Sequence, residues 1–285
     1  MAVASCYRLA KRVSITSATA KFRPTLSALF YLSGKPQRAD RPSISTRVQR
    51  LLSKKTHFMR PNLAPYLQAQ FFQCIKNLGF NPSHIVDVGA HRGTWTRNAL
   101  QYFPDAYYSL FEPQAYLSAS FTDLLKNPKI KFHAKGVGAS SGMMDLTTSD
   151  RDDSFSFSFT ADQAKDWGVK QVKAPVVNLD DYLPALNLPH PELIKIDAEG
   201  WDLEVLKGAD STISNAQVVL MEASVMNKIF KNSIKDVICE MGKRGFLPFD
   251  ITDLNRTTKD NALWLVEIVF IKSGGVIDQK ITSYV

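Results

Sequence analysis

The sequence is poor in the residues that carry sulfur and metal chemistry. Its 285 residues include three cysteines, Cys6, Cys74 and Cys239, set far apart. That spacing fits neither a redox pair nor a zinc ligand set, so the thiols read as reduced and either buried or incidental. Nothing argues for an oxidising compartment, and a cytoplasmic protein is expected. Of the five histidines, His57, His84 and His190 carry no signal, and His133 reads as a strand residue rather than a ligand. No apolar run approaches the ~18 residues of a membrane span. The G-x-G-x-x-G dinucleotide fingerprint is also missing. With it goes much of the case for a nicotinamide-dependent reductase, since no Tyr/Lys or His catalytic set appears either.

Acidic residues are scarce at one end only. Residues 1–60 hold 13 Lys and Arg and a single acid, Asp40, a net charge of about +12 by simple count. The remaining 225 residues hold 22 basic and 26 acidic side chains, about −4 by the same count. The overall +8 therefore belongs to an N-terminal arm, while residues 61–285 are mildly acidic. A domain gripping nucleic acid along its active face would show the reverse. The arm is rich in Ser and Arg and reads as a solvated extension, with organellar targeting as the alternative.

What is present centres on Ile85-Val86-Asp87-Val88-Gly89-Ala90-His91-Arg92-Gly93-Thr94-Trp95. An apolar run of strand character ends in a glycine turn, and Trp95, Ala99, Leu100 and Phe103 follow at helical spacing. Strand, tight turn and helix start form the nucleotide corner of a doubly wound sheet. Gly89 lets the backbone turn and approach a ligand, and Gly93 lets the helix lie close to the sheet. Tyr107–Phe111 reads as the second strand, tipped by Glu112 and Pro113. An acid ~20 residues past the glycine turn is where a ribose diol is gripped, one carboxylate matching two vicinal hydroxyls. The D-x-G-x-x-x-G turn has His91 where a middle glycine might sit, which suits a ligand without pyrophosphate. S-adenosylmethionine is such a ligand, with Asp87 near its cationic end.

Further along, Pro61–Phe80 predicts a helix with Leu63, Leu67, Phe71, Ile75 and Leu78 on one face. Gln114–Leu125 predicts a second helix after the first strand, Ile130–Ala134 the third strand, and Val137 between two glycines a tip beside an adenine. Met143–Thr148 predicts an added strand. Ser154–Phe159 alternates at period two, which favours an edge strand over a flap on the pocket. Leu193–Ile196 predicts strand four, Ala216–Met221 strand five, Ser233–Gly242 a helix, and Gly245–Ile251 with Leu263–Ile271 two closing strands. This alternation predicts an α/β fold: a mostly parallel sheet with an antiparallel edge and helices on both faces.

The second constellation is Lys195-Ile196-Asp197-Ala198-Glu199-Gly200-Trp201. Asp197 and Glu199 follow a strand's carboxyl end, where open α/β sheets bind ligands. Strands one and four are neighbours in the usual order, so Asp197 and Asp87 should face one crevice. A helix N-cap is the structural alternative for Asp197. Asp197 and Glu222 form a conceivable carboxylate pair for a hard cation. Reading them as acids on separate strand tips is preferred, and no metal is expected.

In order, Asp87-Val88-Gly89-Ala90-x-x-Gly93, Phe111-Glu112-Pro113, Leu179-Asp180, Ile194–Gly200 and Leu206-Lys207-Gly208-Ala209 resemble the FkbM family of S-adenosylmethionine-dependent methyltransferases over about residues 80–272. The resemblance implies a Rossmann-like class I methyltransferase fold and methyl transfer to an oxygen, commonly on sugars or secondary metabolites. Asp87, Gly89, Ala90 and Gly93 match the family's cofactor loop, and Glu112 its ribose acid. Asp197 and Glu199 match its fourth-strand acids. His91 stands where the family often has Asn. An alcohol nucleophile must lose a proton, so a base is required, with Asp197 first and Glu199 and His91 after it. The expected acceptor is a small molecule or glycan, and a homo-oligomer is left open. Two rivals stand beside this reading: an NAD(P)-dependent oxidoreductase, and a non-catalytic Rossmann-like protein whose basic arm contacts membrane or nucleic acid.

Overall fold

The computed structural model describes residues 64–148, 155–226, 230, 232–257 and 259–282. The basic arm, Leu63 and the charged run Asp150–Asp153 lie outside them. The first described element is helix α1 (Ala64–Asn77), which buries Phe71, Phe72 and Ile75. Strand β1 (His84–Val88) is buried throughout and leads through the glycine turn into α2 (Thr94–Leu100). β2 (Tyr107–Phe111) and β3 (Ile130–His133) follow. Next come β4 (Gly136–Val137), β5 (Gly142–Thr148), α3 (Ala161–Trp167), β6 (Lys170–Val177) and α4 (Leu179–Tyr182). The chain continues through β7 (Leu193–Ile196), α5 (Asp202–Lys207), α6 (Asp210–Asn215) and β8 (Val218–Ser224). It closes with α7 (Ile234–Lys243), β9 (Phe246–Arg256) and β10 (Leu263–Lys272).

Seven strands form one sheet in the order β3-β2-β1-β7-β8-β10-β9. β10 runs antiparallel to both neighbours, and the strands from β3 to β8 are mutually parallel. The reversed strand therefore sits one position inside the edge, because β9 and β10 are a hairpin and β10 returns against β8. Alternate residues feed opposite faces of a pleated strand, so a strand covered on both faces reads as a near-continuous apolar run. Val86, Ile194 and Val219 join one core with Val205, Ile213 and Val237 from α5, α6 and α7. Ile85, Leu193 and Val218 join the other with Phe71, Phe72 and Trp95 from α1 and α2.

Met143–Thr148, expected as an added strand, is β5, and it belongs to a separate three-stranded sheet, β4-β6-β5. Two expectations are corrected. Gln114–Leu125 is not an α-helix but two short 3₁₀ segments, Ala115–Phe121 and Leu124–Lys126. Its Ser, Thr, Tyr and Phe residues are weak helix formers. The Arg97 guanidinium also takes the Ser120 carbonyl at 2.7 Å, and the Thr122 hydroxyl takes that of Ala119 at 2.7 Å. Ser154–Phe159 is not an edge strand either. Among its described residues only Ser156 bridges to Thr147, and Phe155 and Phe157 line a cleft instead.

The Leu179-Asp180 and Leu206–Ala209 motifs meet in one joint. The Gly208 carbonyl accepts from the Leu179 and Asp180 amides at 2.8 and 3.2 Å. The Asp180 carboxylate accepts from the Ser211 and Thr212 amides at 2.9 and 2.7 Å, capping α6 from outside it. These residues hold the fold rather than a ligand. Cys74 and Cys239 are free and exposed, so of the two readings offered for the thiols the buried one fails for this pair. No described helix is long and apolar enough to cross a membrane.

Candidate active site

The carboxyl ends of β2, β1 and β7 lie side by side, and the residues that follow them line one cleft of about 320 Å³. That volume falls at the lower end of small-molecule sites, roughly 300–1,000 Å³. Of the residues expected from sequence, Gly89, His91, Glu112, Pro113, Val137, Asp197 and Glu199 face it.

Gly89 is the tightest point of the construction. The Gly89 and Ala90 amides both donate to the Phe111 carbonyl, at 2.9 and 3.0 Å, which folds the turn over the end of β2. Gly89 has φ 77, and a Cβ there would stand 1.8 Å from the Asp197 carbonyl oxygen. Glycine is thus required twice, by the left-handed backbone and by the close approach of β7. His91 is also left-handed, at φ 47. Its amide donates to Glu112 Oε2 at 2.9 Å, while the Gln114 amide donates to Oε1 at 2.9 Å. Each Glu112 oxygen is therefore steered by one backbone donor and keeps further acceptor capacity toward the cleft. Burial pushes the Glu112 carboxyl up from its ordinary value, and the two amides oppose that rise.

Asp87, Ala90 and Gly93 do not line the cleft. Asp87 is fully buried behind the turn, where Thr96 Oγ1 donates to its Oδ2 at 2.6 Å. The β1 strand carries its side chain into the interior, away from the residues that line the cleft. Desolvation raises its pKa against the opposing pull of Lys195 and Thr96. Gly93 caps α2 and packs against Phe121 and Leu124.

Asp87 and Asp197 are joined through a residue that sequence reasoning passed over. Lys195 is 5% exposed, and its Nζ lies 3.0 Å from Asp197 Oδ2 and 3.8 Å from Asp87 Oδ1. Burial works against its charge, but Asp197, Asp87 and Glu267 outweigh burial and hold the ammonium well above its ordinary value. Glu267, on β10, is pushed up to about 7 by burial. Asp197 does not cap a helix. Helix α5 starts behind Trp201 with no side-chain cap, and the buried Asp202 carboxylate instead ties down the loop before it, accepting from the Ala198 and Gly200 amides at 3.1 Å each and from Asn232 Nδ2 at 2.8 Å. Burial pushes Asp202 up to about 7. The only advance signals were the lysine two residues before Asp197 and the acid two residues after Gly200. Among the described residues no group of three His, Cys, Asp or Glu is placed to hold a metal ion.

Val137, Leu146, Phe155 and Phe157 give the cleft an apolar wall, and Glu112, Asp197 and Glu199 bring acids to it. His133 packs below it, stacked on Phe111 at 4.7 Å with Nδ1 3.2 Å from the Tyr182 hydroxyl. Burial, with Lys135 nearby, lowers its pKa to about 4, so the ring is neutral, as a packed strand residue should be.

Residues 87–248, more than half of the chain, match the family model described as the methyltransferase FkbM domain. Comparison with curated proteins gave no match. Among solved structures, a methyltransferase FkbM from Methylobacillus flagellatus is similar at 18% identity and a TM-score of 0.42, covering 66% of this chain. The chain spans 43% of that protein's length. Magnesium protoporphyrin IX methyltransferase from Synechocystis, solved with bound S-adenosylmethionine, has 10% identity and a TM-score of 0.44, covering 81% of this chain and 92% of its own. The O-methyltransferase TomG from Streptomyces achromogenes has 9% identity and a TM-score of 0.42, covering 80% of this chain and 88% of its own.

Proposed function

Because the chain belongs to the FkbM family of S-adenosylmethionine-dependent methyltransferases, we propose that its cleft transfers a methyl group to a hydroxyl oxygen of a small molecule or glycan. In this reading residues 61–285 are the methyltransferase domain and 1–60 a basic extension. The observation that supports it most directly is the convergence of Glu112, Gly89 and Asp197 on one cleft from three adjacent strand tips.

The residues present fit the cofactor. Glu112, steered by two amides, suits a vicinal diol. The Val137 and Phe157 wall suits adenine. Glu199, after β7, suits a cation. When bound, S-adenosylmethionine supplies a methyl group whose bond to sulfur breaks with the electron pair going to sulfur. The protein's own part is then orientation and proton removal. Holding the acceptor oxygen in line replaces an improbable encounter with a fixed one. Asp197, on the cleft and hydrogen-bonded to Lys195 through Oδ2, takes the hydroxyl proton through its remaining acceptor capacity.

The test is incubation of the full chain with methyl-labelled S-adenosylmethionine and a panel of hydroxyl-bearing sugars and phenols, followed by mass spectrometry and NMR of the product. Label in an O-methyl ether supports the reading. Label on nitrogen, sulfur or carbon alone overturns it.

A further inference from the structure

The loop after β7 adopts an uncommon conformation. Glu199 has φ 50 and Gly200 φ 86, so two consecutive residues are left-handed. Such a conformation in a residue with a side chain persists only where its surroundings over-determine it. Three groups do so here. The Asp202 carboxylate holds the Ala198 and Gly200 amides. The Phe230 ring backs Gly200, where a Cβ would stand 2.1 Å from Cδ1. The third is Ser156, which belongs to neither element.

Ser156 is buried and comes from beside the small sheet, where it exchanges backbone hydrogen bonds with Thr147 at 2.9 and 3.2 Å. Its Oγ accepts from the Ser158 amide at 3.0 Å and donates to the Glu199 carbonyl at 2.7 Å. Because the Ser158 amide occupies a lone pair, the hydroxyl proton is directed at Glu199. Its neighbour Phe157 is seated on Gly136, where a Cβ would meet the ring at 2.5 Å. One short segment therefore forms part of the apolar wall and also grips the acidic loop.

The sheet order says which part of the cofactor that loop meets. If the ribose lies on Glu112 at the tip of β2, a ligand extended across Gly89 at β1 arrives next at the tip of β7. The group that follows ribose in S-adenosylmethionine is the sulfonium. We propose that Ser156 is a positioning residue, whose hydroxyl pins the Glu199 carbonyl and so holds the Glu199 carboxylate toward the sulfonium end of the bound cofactor. This rests on the cofactor reading above. It has a consequence that needs no acceptor: the donor is cationic at sulfur and the demethylated product, S-adenosylhomocysteine, is neutral there. A carboxylate held at that point favours donor over product, while groups that bind ribose and adenine treat the two alike.

The experiment is calorimetric titration of the full chain, wild type and variants, with S-adenosylmethionine and with S-adenosylhomocysteine, read as the ratio of their Kd values. Glu199→Gln is expected to lower the donor preference by about 5- to 10-fold. Ser156→Ala is expected to lower it by a similar factor while leaving the product's affinity within about twofold. Ser156→Ala in the Glu199→Gln background is expected to change nothing further, since the hydroxyl acts through Glu199. Equal weakening of both ligands by Ser156→Ala, an unchanged ratio, or an effect that adds to that of Glu199→Gln would overturn the inference. If the wild-type chain binds neither ligand, the cofactor reading falls, and this inference with it. An effect of Glu199→Gln without one of Ser156→Ala removes Ser156 alone.

Discussion

Gly89→Ala separates the two reasons for a glycine at the turn. The left-handed backbone costs a residue with a Cβ about 1–2 kcal/mol. The new methyl would also stand 1.8 Å from the Asp197 carbonyl oxygen, a contact that only movement of the β7 tip relieves. Forced repacking of this kind costs typically 1–3 kcal/mol. The sum is about 2–5 kcal/mol from one methyl group. Gly274→Ala is the control, because Gly274 has φ 69 and nothing within 4 Å of its Cβ position. It bears the backbone cost alone, about 1–2 kcal/mol. Urea denaturation of both variants should therefore show Gly89→Ala less stable than Gly274→Ala by about 1–3 kcal/mol at unchanged slope. The movement that relieves the contact displaces Asp197 and the turn together, so Gly89→Ala should also weaken S-adenosylmethionine by at least ~10-fold, with Gly274→Ala unaffected. Equal stability of the two variants, or full affinity in Gly89→Ala, would refute the argument that the β1 turn and the β7 tip are built against one another.

Other substitutions probe the charges around this joint. Glu112→Ala should weaken the cofactor by ~10-fold or more, measured by calorimetry, since it removes a buried charged acceptor. Asp197→Asn should bind S-adenosylmethionine within a few-fold of wild type and lose turnover by ~100-fold or more on any acceptor found, which fixes it as the base. Lys195→Met strips Asp87, Asp197 and Glu267 of their shared cation and should destabilise by about 3–5 kcal/mol. The deficit should widen from pH 5 to pH 8, as the buried Asp87 and Glu267 carboxyls, both raised by burial, lose the protons that relieve them. Asp202 is an acid raised by burial to about 7, so its favourable protonated form is fully present below the ordinary value of 3.8 and is lost as pH rises through about 7. Stability of wild type relative to Asp202→Asn should fall across that window, as read from denaturation midpoints at a series of pH values.

The centre of the sheet was legible because β1 and β7 are buried on both faces. Ile85–Val88 and Leu193–Ile196 are apolar except for Asp87 and Lys195, which face one another across the two strands, and a turn or an acid marks where each strand stops. Local pattern failed where distant groups decide the conformation. Gln114–Leu125 has helix-like apolar spacing, but Arg97, 23 residues away, occupies the Ser120 carbonyl. Ser154–Phe159 has strand-like alternation, yet Phe157 finds its place on Gly136 and Ser156 on Glu199, contacts made across 21 and 43 residues of chain. The same limit applies to the cleft. Position on a strand tip pointed to Glu112, Asp197 and Glu199, and all three line the cleft. It did not tell that Asp87 lies behind the turn, because a tip residue can point there as well as into the crevice. It also passed over Lys195 and Asp202, whose roles consist of the partners they bring together.

The central claim is that the strand tips of β2, β1 and β7 form a seat for S-adenosylmethionine. Calorimetry of the full-length chain with S-adenosylmethionine, S-adenosylhomocysteine and NADH tests it most directly. The account predicts saturable one-to-one binding of the first two, lost together in Glu112→Ala, and no heat with NADH. Binding of NADH, or silence with both sulfur ligands, would contradict it.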